Sequence, residues 1–261
     1  MLHNFFGNLK SNRTIGIDLG TANTLVYTQD KGIVIDEPSV VAINIKTDQI
    51  LAVGNEAKHM LGKTPPHIQV TRPLQHGIIS DFEVTEKMLK FFIDKVTSES
   101  FSLNSRPRMI IGVPLDVTED KIKAVEDASL AAGAREVVIV QEPMLAAIGA
   151  RMPIENPVGS LIVDIGGGNT EVAVISLSGV VTWKSTPIAG DELNKNIIQY
   201  ARDVFNLLVG ETQAEHIKIA AATALELDSV TEHTMRGRDV VSGLPREVVF
   251  SENDVFRAIQ R

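Results

Sequence analysis

Residues 14–28, TIGIDLGTANTLVYT, contain the pattern that decides the fold of this chain. An apolar, β-branched run reaches Asp18, stops at Gly20 and then resumes, which predicts two strands joined by a tight turn. Residues 161–175, LIVDIGGGNTEVAVI, repeat this pattern at one constant offset. The matched positions are Asp18 with Asp164, Gly20 with Gly166, Asn23 with Asn169, and Thr24 with Thr170. An internal repeat of this kind predicts two related halves rather than a solenoid.

Both turns carry groups that suit an anion. Glycine lets backbone N–H groups approach a ligand closely, and successive N–H groups in a tight turn form an anion-binding nest. Thr21, Thr24 and Thr170 add hydroxyl donors. A carboxylate just before such a turn would repel phosphate unless a cation lies between them, so Asp18 and Asp164 indicate Mg²⁺. Two such hairpins would hold a triphosphate from both sides, whereas the alternative for each is a plain β-turn with a surface acid.

Strand and helix patterns alternate after the first hairpin. Apolar residues at helical spacing in residues 81–96, a buried strand at 108–115 and another at 136–140 predict a parallel sheet with right-handed crossovers. Farther along, the patterns predict helices over 190–209 and 211–227, a small β region over 234–250, and a capped helix beginning near Ser251.

A further candidate follows the strand at 136–140, in the sequence QEP. The carboxyl ends of strands are where open α/β sheets bind ligands. Glu142 could accept a proton from, or orient, a water that attacks a γ-phosphate, and Gln141 could orient the same water. The alternative is a helix N-terminus, in which Glu142 complements the helix dipole and Pro143 occupies the first turn.

Composition limits the classes of partner. The chain has 261 residues, a formal net charge of −8 and no cysteine. The negative charge argues against nucleic acid as a partner, and the absence of cysteine excludes disulfides and thiolate metal sites. No apolar run approaches the ~18 residues of a membrane-spanning helix. We therefore expect a soluble chain of the cytoplasm.

The motifs DLGTANT, QEP and DIGGGNTEVAV, in this order, resemble the superfamily of actin, sugar kinases and heat-shock ATPases. Within it, the chain is similar to the MreB family, the bacterial actins that shape rod cells. The resemblance is carried by IGIDLGTANTLVY, GIVIDEPSVVAI, VGNEAKHMLGKTP, RPLQHGIISDF, EPMLAAIGA, VDIGGGNTEVAVISLSGVV, IAGDEL and GETQAEHIK. It covers the chain from about residue 14 to the end.

The resemblance implies an α/β, actin-like ATPase fold with two RNase-H-like domains around a nucleotide cleft. Domain I would span 1–148, with a small subdomain inserted at about 33–78. Domain II would span 149–261, with a small subdomain at about 183–250. The family has a further glycine-rich segment that covers the adenosine, and no glycine cluster follows Gly210 here. We therefore expect the second domain to be incomplete.

The resemblance also implies ATP and Mg²⁺ as cofactors and assigns roles to individual residues. The first phosphate loop would be Gly20, Thr21, Ala22 and Asn23, and the second Gly166, Gly167, Gly168, Asn169 and Thr170. Asp18 and Asp164 would hold Mg²⁺ through water, Glu142 and Asn169 would position the attacking water beside Gln141, and Glu215 and Lys218 would contact the adenosine. The alternative for Glu215 and Lys218 is a solvated helix face.

Two substitutions within these motifs bear on catalysis. The family usually has threonine where this chain has Asn169, and an amide changes the geometry with which a water is held. Hydrolysis is therefore expected to be slower. The family commonly has glutamate before EP, and this chain has Gln141, as eukaryotic actin does.

Members of the family bind the inner face of the cytoplasmic membrane, and two segments are candidates for this contact. Leu2, Phe5, Phe6 and Leu9 would form one stripe of an amphipathic helix, and Phe101 and Leu103 lie where the family has an apolar loop. The alternatives are a disordered tail and a plain surface loop.

The resemblance implies a polymerising ATPase whose filaments are homopolymers on the membrane. Such filaments control cell shape and organise cell-wall synthesis, with membrane proteins of the elongation machinery as expected partners. ATP hydrolysis would be coupled to filament turnover. The alternatives are a nucleotide-binding scaffold that does not hydrolyse ATP and a small-molecule kinase of the same fold, for which the sequence offers no sugar-site candidate.

Overall fold

The structure is a computed structural model that describes residues 14–98 and 106–260. The chain divides into two compact units, residues 1–186 and 187–261. The domain boundary at 148/149 and the two subdomain insertions stay predictions. The proposed membrane contacts Leu2, Phe5, Phe6, Leu9, Phe101 and Leu103 lie outside the described residues.

The first unit contains seventeen elements among its described residues. They are β1 (Thr14–Leu19), β2 (Asn23–Thr28), β3 (Gly32–Pro38), β4 (Val41–Asn44), β5 (Gln49–Val53), α1 (Asn55–Met60), β6 (Ile68–Thr71), β7 (Leu74–Gln75), β8 (Ile78–Ile79), α2 (Phe82–Ser98), β9 (Arg108–Val113), α3 (Glu119–Ala131), β10 (Glu136–Gln141), α4 (Glu142–Gly149), β11 (Ser160–Ile165), β12 (Thr170–Ser176) and β13 (Gly179–Thr186).

The main sheet of this unit has the strand order β10-β9-β1-β2-β3. β1 pairs in parallel with β9, and β9 with β10, whereas β1, β2 and β3 form antiparallel neighbours. The predicted parallel pairing is therefore confirmed. Alternate residues of β1 point into a core that includes Met88 and Phe92 of α2. That core fixes β1 in the middle of the sheet, with Asp18 near its carboxyl end.

The repeated hairpin is confirmed, and its two copies share one register. Asp18 lies opposite Leu25 in β1–β2, and Asp164 lies opposite Glu171 in β11–β12. In each copy a third antiparallel strand follows. The copies therefore present their acid and their turn in the same way.

The two copies differ in how their first strand is covered. Leu161, Val163 and Ile165 of β11 are 59%, 54% and 70% exposed, whereas their counterparts in β1 are buried. β11 is an edge strand of the three-stranded sheet β11-β12-β13, whereas β1 is flanked by β2 and β9. The same local sequence pattern is thus compatible with a buried or an exposed strand.

A smaller sheet, β5-β4-β6, follows the first hairpin and packs with α1 around its own apolar cluster of Val40, Ala42, Ala52 and Ala57. It is followed by the short hairpin β7–β8, whose two turn residues, His76 and Gly77, have φ angles of 51° and 73°. Positive φ at both central residues is the hallmark of a tight type I′ hairpin turn. The tight turn makes the tip of this hairpin narrow.

The second unit contains α5 (Gly190–Phe205), β14 (Leu207–Leu208), α6 (Glu211–Ala221), β15 (Glu232–Asp239), β16 (Pro245–Ser251) and α7 (Glu252–Ile259). Both α5 and α6 are shorter than predicted. α5 ends because Asn206 adopts the left-handed conformation, with φ 51°, after which β14 pairs with β15. The predicted cap of the last helix is confirmed, since Ser251 and Asp254 form a reciprocal capping box. None of the helices in the described part of the chain is both long and apolar enough to cross a bilayer.

Candidate functional site

A cavity of about 230 Å³ lies in the first unit, where the two repeated turns meet. Eight of its lining residues belong to the predicted site: Asp18, Gly20, Thr21, Glu142, Asp164, Gly166, Gly167 and Asn169. Drug-sized ligands usually occupy about 300–1,000 Å³. The cavity therefore suits the phosphate end of a nucleotide better than the whole molecule.

The two turns approach each other so closely that glycine is required in the second one. A Cβ atom on Gly167 would come within 2.7 Å of the Ala22 Cβ, and one on Gly168 within 2.5 Å of the Thr21 Oγ1. Real Cβ atoms do not make such contacts. The sequence suggested that these glycines allow backbone N–H groups to approach a ligand. The structure shows that they also allow the two loops to touch.

The tip of the β7–β8 hairpin bridges the two turns, which sequence reasoning missed. The Gly77 N–H donates to the Thr21 Oγ1 at 2.8 Å, and the His76 Nδ1 lies 2.9 Å from the Gly168 carbonyl oxygen. Because Thr21 accepts this bond, its own hydroxyl proton remains for a ligand oxygen. The tip therefore orients one group from each loop.

Thr24 does not serve as the hydroxyl donor that the sequence predicted. Its side chain is completely buried, and its Oγ1 bonds to the Ser39 Oγ at 2.9 Å. The prediction that Thr24 donates to an anion is therefore wrong. β2 turns this side chain into the protein, toward the strand end that carries Ser39.

The cavity has an acidic wall. Desolvation by the surrounding protein raises the pKa of Asp18, although its side chain is accessible from the cavity, and the Asp164 carboxylate raises it further. Burial raises the pKa of Glu142 from 4.5 to about 8, with further contributions from Asp18, Glu171 and other acids. Like charges in a poorly solvated space disfavour ionisation. The free protein therefore keeps Glu142 mostly protonated at neutral pH.

Glu171 is an acidic wall residue that sequence reasoning missed. It is only 1% exposed, it lines the cavity, and its Oε1 accepts the Leu115 N–H at 2.8 Å. Burial raises its pKa, while the Leu115 N–H opposes this and Asp116 raises it further. The repeat contained a signal for this residue. The second copy has an acid, Glu171, where the first copy has the apolar Leu25.

The acids fit a hard divalent cation held through water. The carboxylates of Asp18 and Asp164 could accept hydrogen bonds from the waters of such a cation, and positive charge between them would relieve their repulsion. Among residues 14–98 and 106–260, no three acidic or histidine side chains converge closely enough to ligate one ion. Mg²⁺ keeps several waters and is usually held by one or two carboxylates plus substrate phosphates. The donor set is therefore compatible with Mg²⁺.

The remaining predicted residues occupy different places. Gln141 is the exposed last residue of β10 and precedes α4. Asn23 begins β2, and Thr170 begins β12, each directly after its turn. Glu215 and Lys218 lie on α6 in the second unit, where the Lys218 Nζ donates to the Gly190 carbonyl at 3.0 Å. Their contact with adenosine stays a prediction.

Comparisons with known proteins agree with this architecture. The sequence model of the family described as MreB/Mbl protein matches residues 12–261. The cell shape-determining protein Mbl of Bacillus subtilis (strain 168) is 47% identical over 248 residues, which is 95% of this chain and 74% of that protein. The cell shape-determining protein MreB of Escherichia coli (strain K12) is 46% identical over 264 residues, covering 100% of this chain and 75% of that protein.

The fold also resembles solved structures. The crystal structure of MreB5 of Spiroplasma citri bound to ADP has a TM-score of 0.88 and 34% identity, and covers 95% of this chain and 74% of that one. A structure of the same protein bound to AMPPNP gives the same TM-score and identity, with coverage of 96% and 75%.

The five-stranded mixed sheet, the repeated hairpins and the cavity at their turns define an actin-like ATPase fold. The family model spans nearly the whole chain, and relatives at 46–47% identity match along at least 95% of it. The chain therefore belongs to the MreB/Mbl family, as the motifs predicted.

Proposed function

We propose that the chain binds ATP with Mg²⁺ at the cavity between the repeated turns. The observation that carries this proposal is the approach of two glycine-containing turns, each preceded by an acid in the same register, to one small acidic cavity. The nucleotides bound to MreB5 of Spiroplasma citri, ADP and AMPPNP, support it.

In this proposal the two turns bind the phosphates, residues 20–23 from one side and 166–170 from the other. Backbone N–H groups and the Thr21 hydroxyl donate to phosphate oxygens, while Asp18 and Asp164 bind cation waters. A bound Mg²⁺ would supply positive charge beside the two acids, which offsets the phosphate charge and lowers the Glu142 pKa toward its usual range. Glu215 and Lys218 contact the adenosine.

We further propose that Glu142 and Asn169 hold the water that attacks the γ-phosphate, with Gln141 beside them. Glu142 accepts the water proton, and the Asn169 amide orients the water. A second candidate function is a scaffold that binds ATP without hydrolysing it. It is favoured by the Glu142 pKa of about 8, because a protonated carboxyl cannot accept a proton.

The biological role proposed is that of a cell-shape cytoskeleton. The names of the Mbl and MreB relatives support this role. Chains would assemble head to tail through a heterologous interface, which gives an open filament. Residues 1–10 and 98–105 would bind the inner face of the membrane weakly, and assembly would multiply that affinity. Membrane proteins of the cell-wall elongation machinery are the proposed partners.

Asp164→Ala is the variant that tests this function. We expect its affinity for Mg²⁺·ATP to fall about tenfold or more, because it loses a carboxylate that holds the cation waters. ATP-dependent sedimentation with liposomes should be lost in this variant. Deletion of residues 1–10 should abolish only the lipid dependence. Isothermal titration and pelleting with and without ATP measure these effects.

The matched control for this variant is Asp30→Ala, which removes an exposed acid in the turn between β2 and β3. Its nucleotide affinity and pelleting should equal those of the wild type. Wild-type affinity in Asp164→Ala, or a wild-type chain that does not bind Mg²⁺·ATP, would contradict the proposed site.

His76→Ala tests the bridge between the turns. We expect ATP affinity to fall about threefold to tenfold, since the variant loses one hydrogen bond that orients the second loop. Displacement of a fluorescent ATP analogue measures this change. His59→Ala, on the exposed face of α1, is the control and should bind like the wild type. Equal affinity in His76→Ala would show that the contact between His76 and Gly168 does not prepare the site.

A further inference from the structure

Ser39 contacts the first loop and lies outside the cavity lining. It directly follows β3 and is completely buried. Its Oγ donates to the Gly20 carbonyl at 2.6 Å, and its backbone N–H donates to the Ala22 carbonyl at 3.0 Å. One residue therefore holds two of the carbonyl groups in the turn that the proposed function assigns to phosphate.

The directions of these hydrogen bonds follow from proton count. A serine hydroxyl has one proton, and Ser39 gives it to Gly20. The bond between Thr24 and Ser39 must therefore be donated by the Thr24 hydroxyl. This makes a chain from Thr24 to Ser39 to Gly20, in which each bond polarises the next. Thr24, which the sequence suggested as a ligand donor, thus acts on Ser39 instead.

The two held carbonyls determine where the neighbouring N–H groups point. In a trans peptide the C=O and N–H bonds point in opposite directions, and the described residues include no cis peptide. Holding the Gly20 carbonyl turns the Thr21 N–H away from Ser39, and holding the Ala22 carbonyl does the same for Asn23. Gly20 and Thr21 line the cavity, whereas Ala22 and Asn23 do not.

We propose that Ser39 is a positioning residue for phosphate binding by the first loop. It fixes two peptide groups of the loop, so that the Thr21 N–H faces the cavity before a ligand arrives. Donors fixed in advance do not lose conformational freedom when the anion binds. The inference rests on the proposed function and adds to it a residue outside both loops.

The first loop is also tightly closed, so its backbone cannot shift far to satisfy the Gly20 carbonyl in another way. A Cβ atom on Gly20 would come within 2.6 Å of the Asn23 carbonyl oxygen, so the loop closes tightly on itself. The second loop has a corresponding outside contact, from His76 to the Gly168 carbonyl. Each loop therefore has one carbonyl held by a side chain that lies outside it.

The test compares Ser39→Ala with Ser129→Ala. Ser129 is also completely buried, and its Oγ donates to the Val125 carbonyl at 2.6 Å within α3. Both variants lose a hydrogen bond to a backbone carbonyl, and Ser39→Ala also removes the acceptor of the Thr24 hydroxyl, so both should unfold at a lower temperature. Only Ser39→Ala should bind Mg²⁺·ATP more weakly, by about tenfold. Affinities are measured well below the unfolding temperatures.

A second variant and a second ligand complete the test. Ser39→Cys replaces the hydroxyl by a somewhat larger thiol that is only a weak donor and leaves no cavity, so it should show the same loss of affinity even if the alanine variant fails to fold. Inorganic tripolyphosphate with Mg²⁺ should lose affinity by the same factor as ATP, because Ser39 acts on the phosphate end alone.

Several outcomes would overturn the role of Ser39. These are wild-type ATP affinity in a folded Ser39 variant, an equal loss in Ser129→Ala, or a loss for ATP without one for tripolyphosphate. In each of these cases the wild-type chain still binds Mg²⁺·ATP, and the proposed function stands. A wild-type chain that does not bind Mg²⁺·ATP would overturn the proposed function and this inference together.

Discussion

Glu142→Gln is expected to lower the rate of ATP hydrolysis by about 10²-fold or more, because the amide cannot accept the proton of the attacking water. Affinity for Mg²⁺·ATP should stay within about threefold of the wild type, since the amide resembles the protonated carboxyl that the free protein holds at neutral pH. Single-turnover release of phosphate gives the rate, and isothermal titration gives the affinity.

The control for this rate is Glu126→Gln, which neutralises an exposed acid on α3. It should hydrolyse ATP like the wild type. An unchanged rate in Glu142→Gln would mean that another group accepts the proton. Should the wild-type chain bind ATP and release no phosphate, the scaffold would become the preferred function, and Asn169→Thr would test whether the amide is the cause.

The second large effect is a loss of stability as the pH rises, in the free protein with EDTA. The Glu142 pKa is about 8 when folded and 4.5 as the ordinary value. Below pH 4.5 both states hold the proton, and the full stabilisation is present. Between these values the unfolded chain has lost the proton and the folded chain has not, so the free energy of unfolding falls. We expect a loss of about 2–4 kcal/mol from pH 5 to pH 8.

Urea midpoints at pH 5, 6, 7 and 8 measure this loss. In Glu142→Gln the decline should be much smaller, though still present, because the pKa values of Asp18 and Glu171 are also raised. Glu126→Gln should keep the wild-type slope. A flat wild-type profile, or an equal slope in Glu142→Gln, would contradict the assignment of the loss to Glu142.

The repeat explains why so much of the fold was predictable. A strand, an acid, a glycine turn and a second strand follow one another within fifteen residues, so local geometry alone fixes their relation. The matched registers of Asp18 with Leu25 and Asp164 with Glu171 are the consequence. Short-range hydrogen bonds specify such a hairpin wherever it occurs in a chain.

The contacts that the sequence did not predict join residues that are far apart along the chain. His76 reaches Gly168 across ninety-two positions, and Glu171 reaches Leu115 across fifty-six. Nothing in the local pattern of either partner specifies the other. The predicted helix at 190–209 was too long for a related reason, since its last residues leave the helix at Asn206 and form β14, which pairs with the distant strand β15.

The sequence by itself determined the two turns, their acids and the family, because each depends on residues that are neighbours along the chain. Only the tertiary structure decided which hydroxyl is left to donate. Thr21 and Thr24 look equivalent in the sequence, yet the former faces the cavity and the latter gives its proton to Ser39. A hydroxyl carries a single proton, and its recipient depends on which distant groups the fold brings within hydrogen-bonding distance.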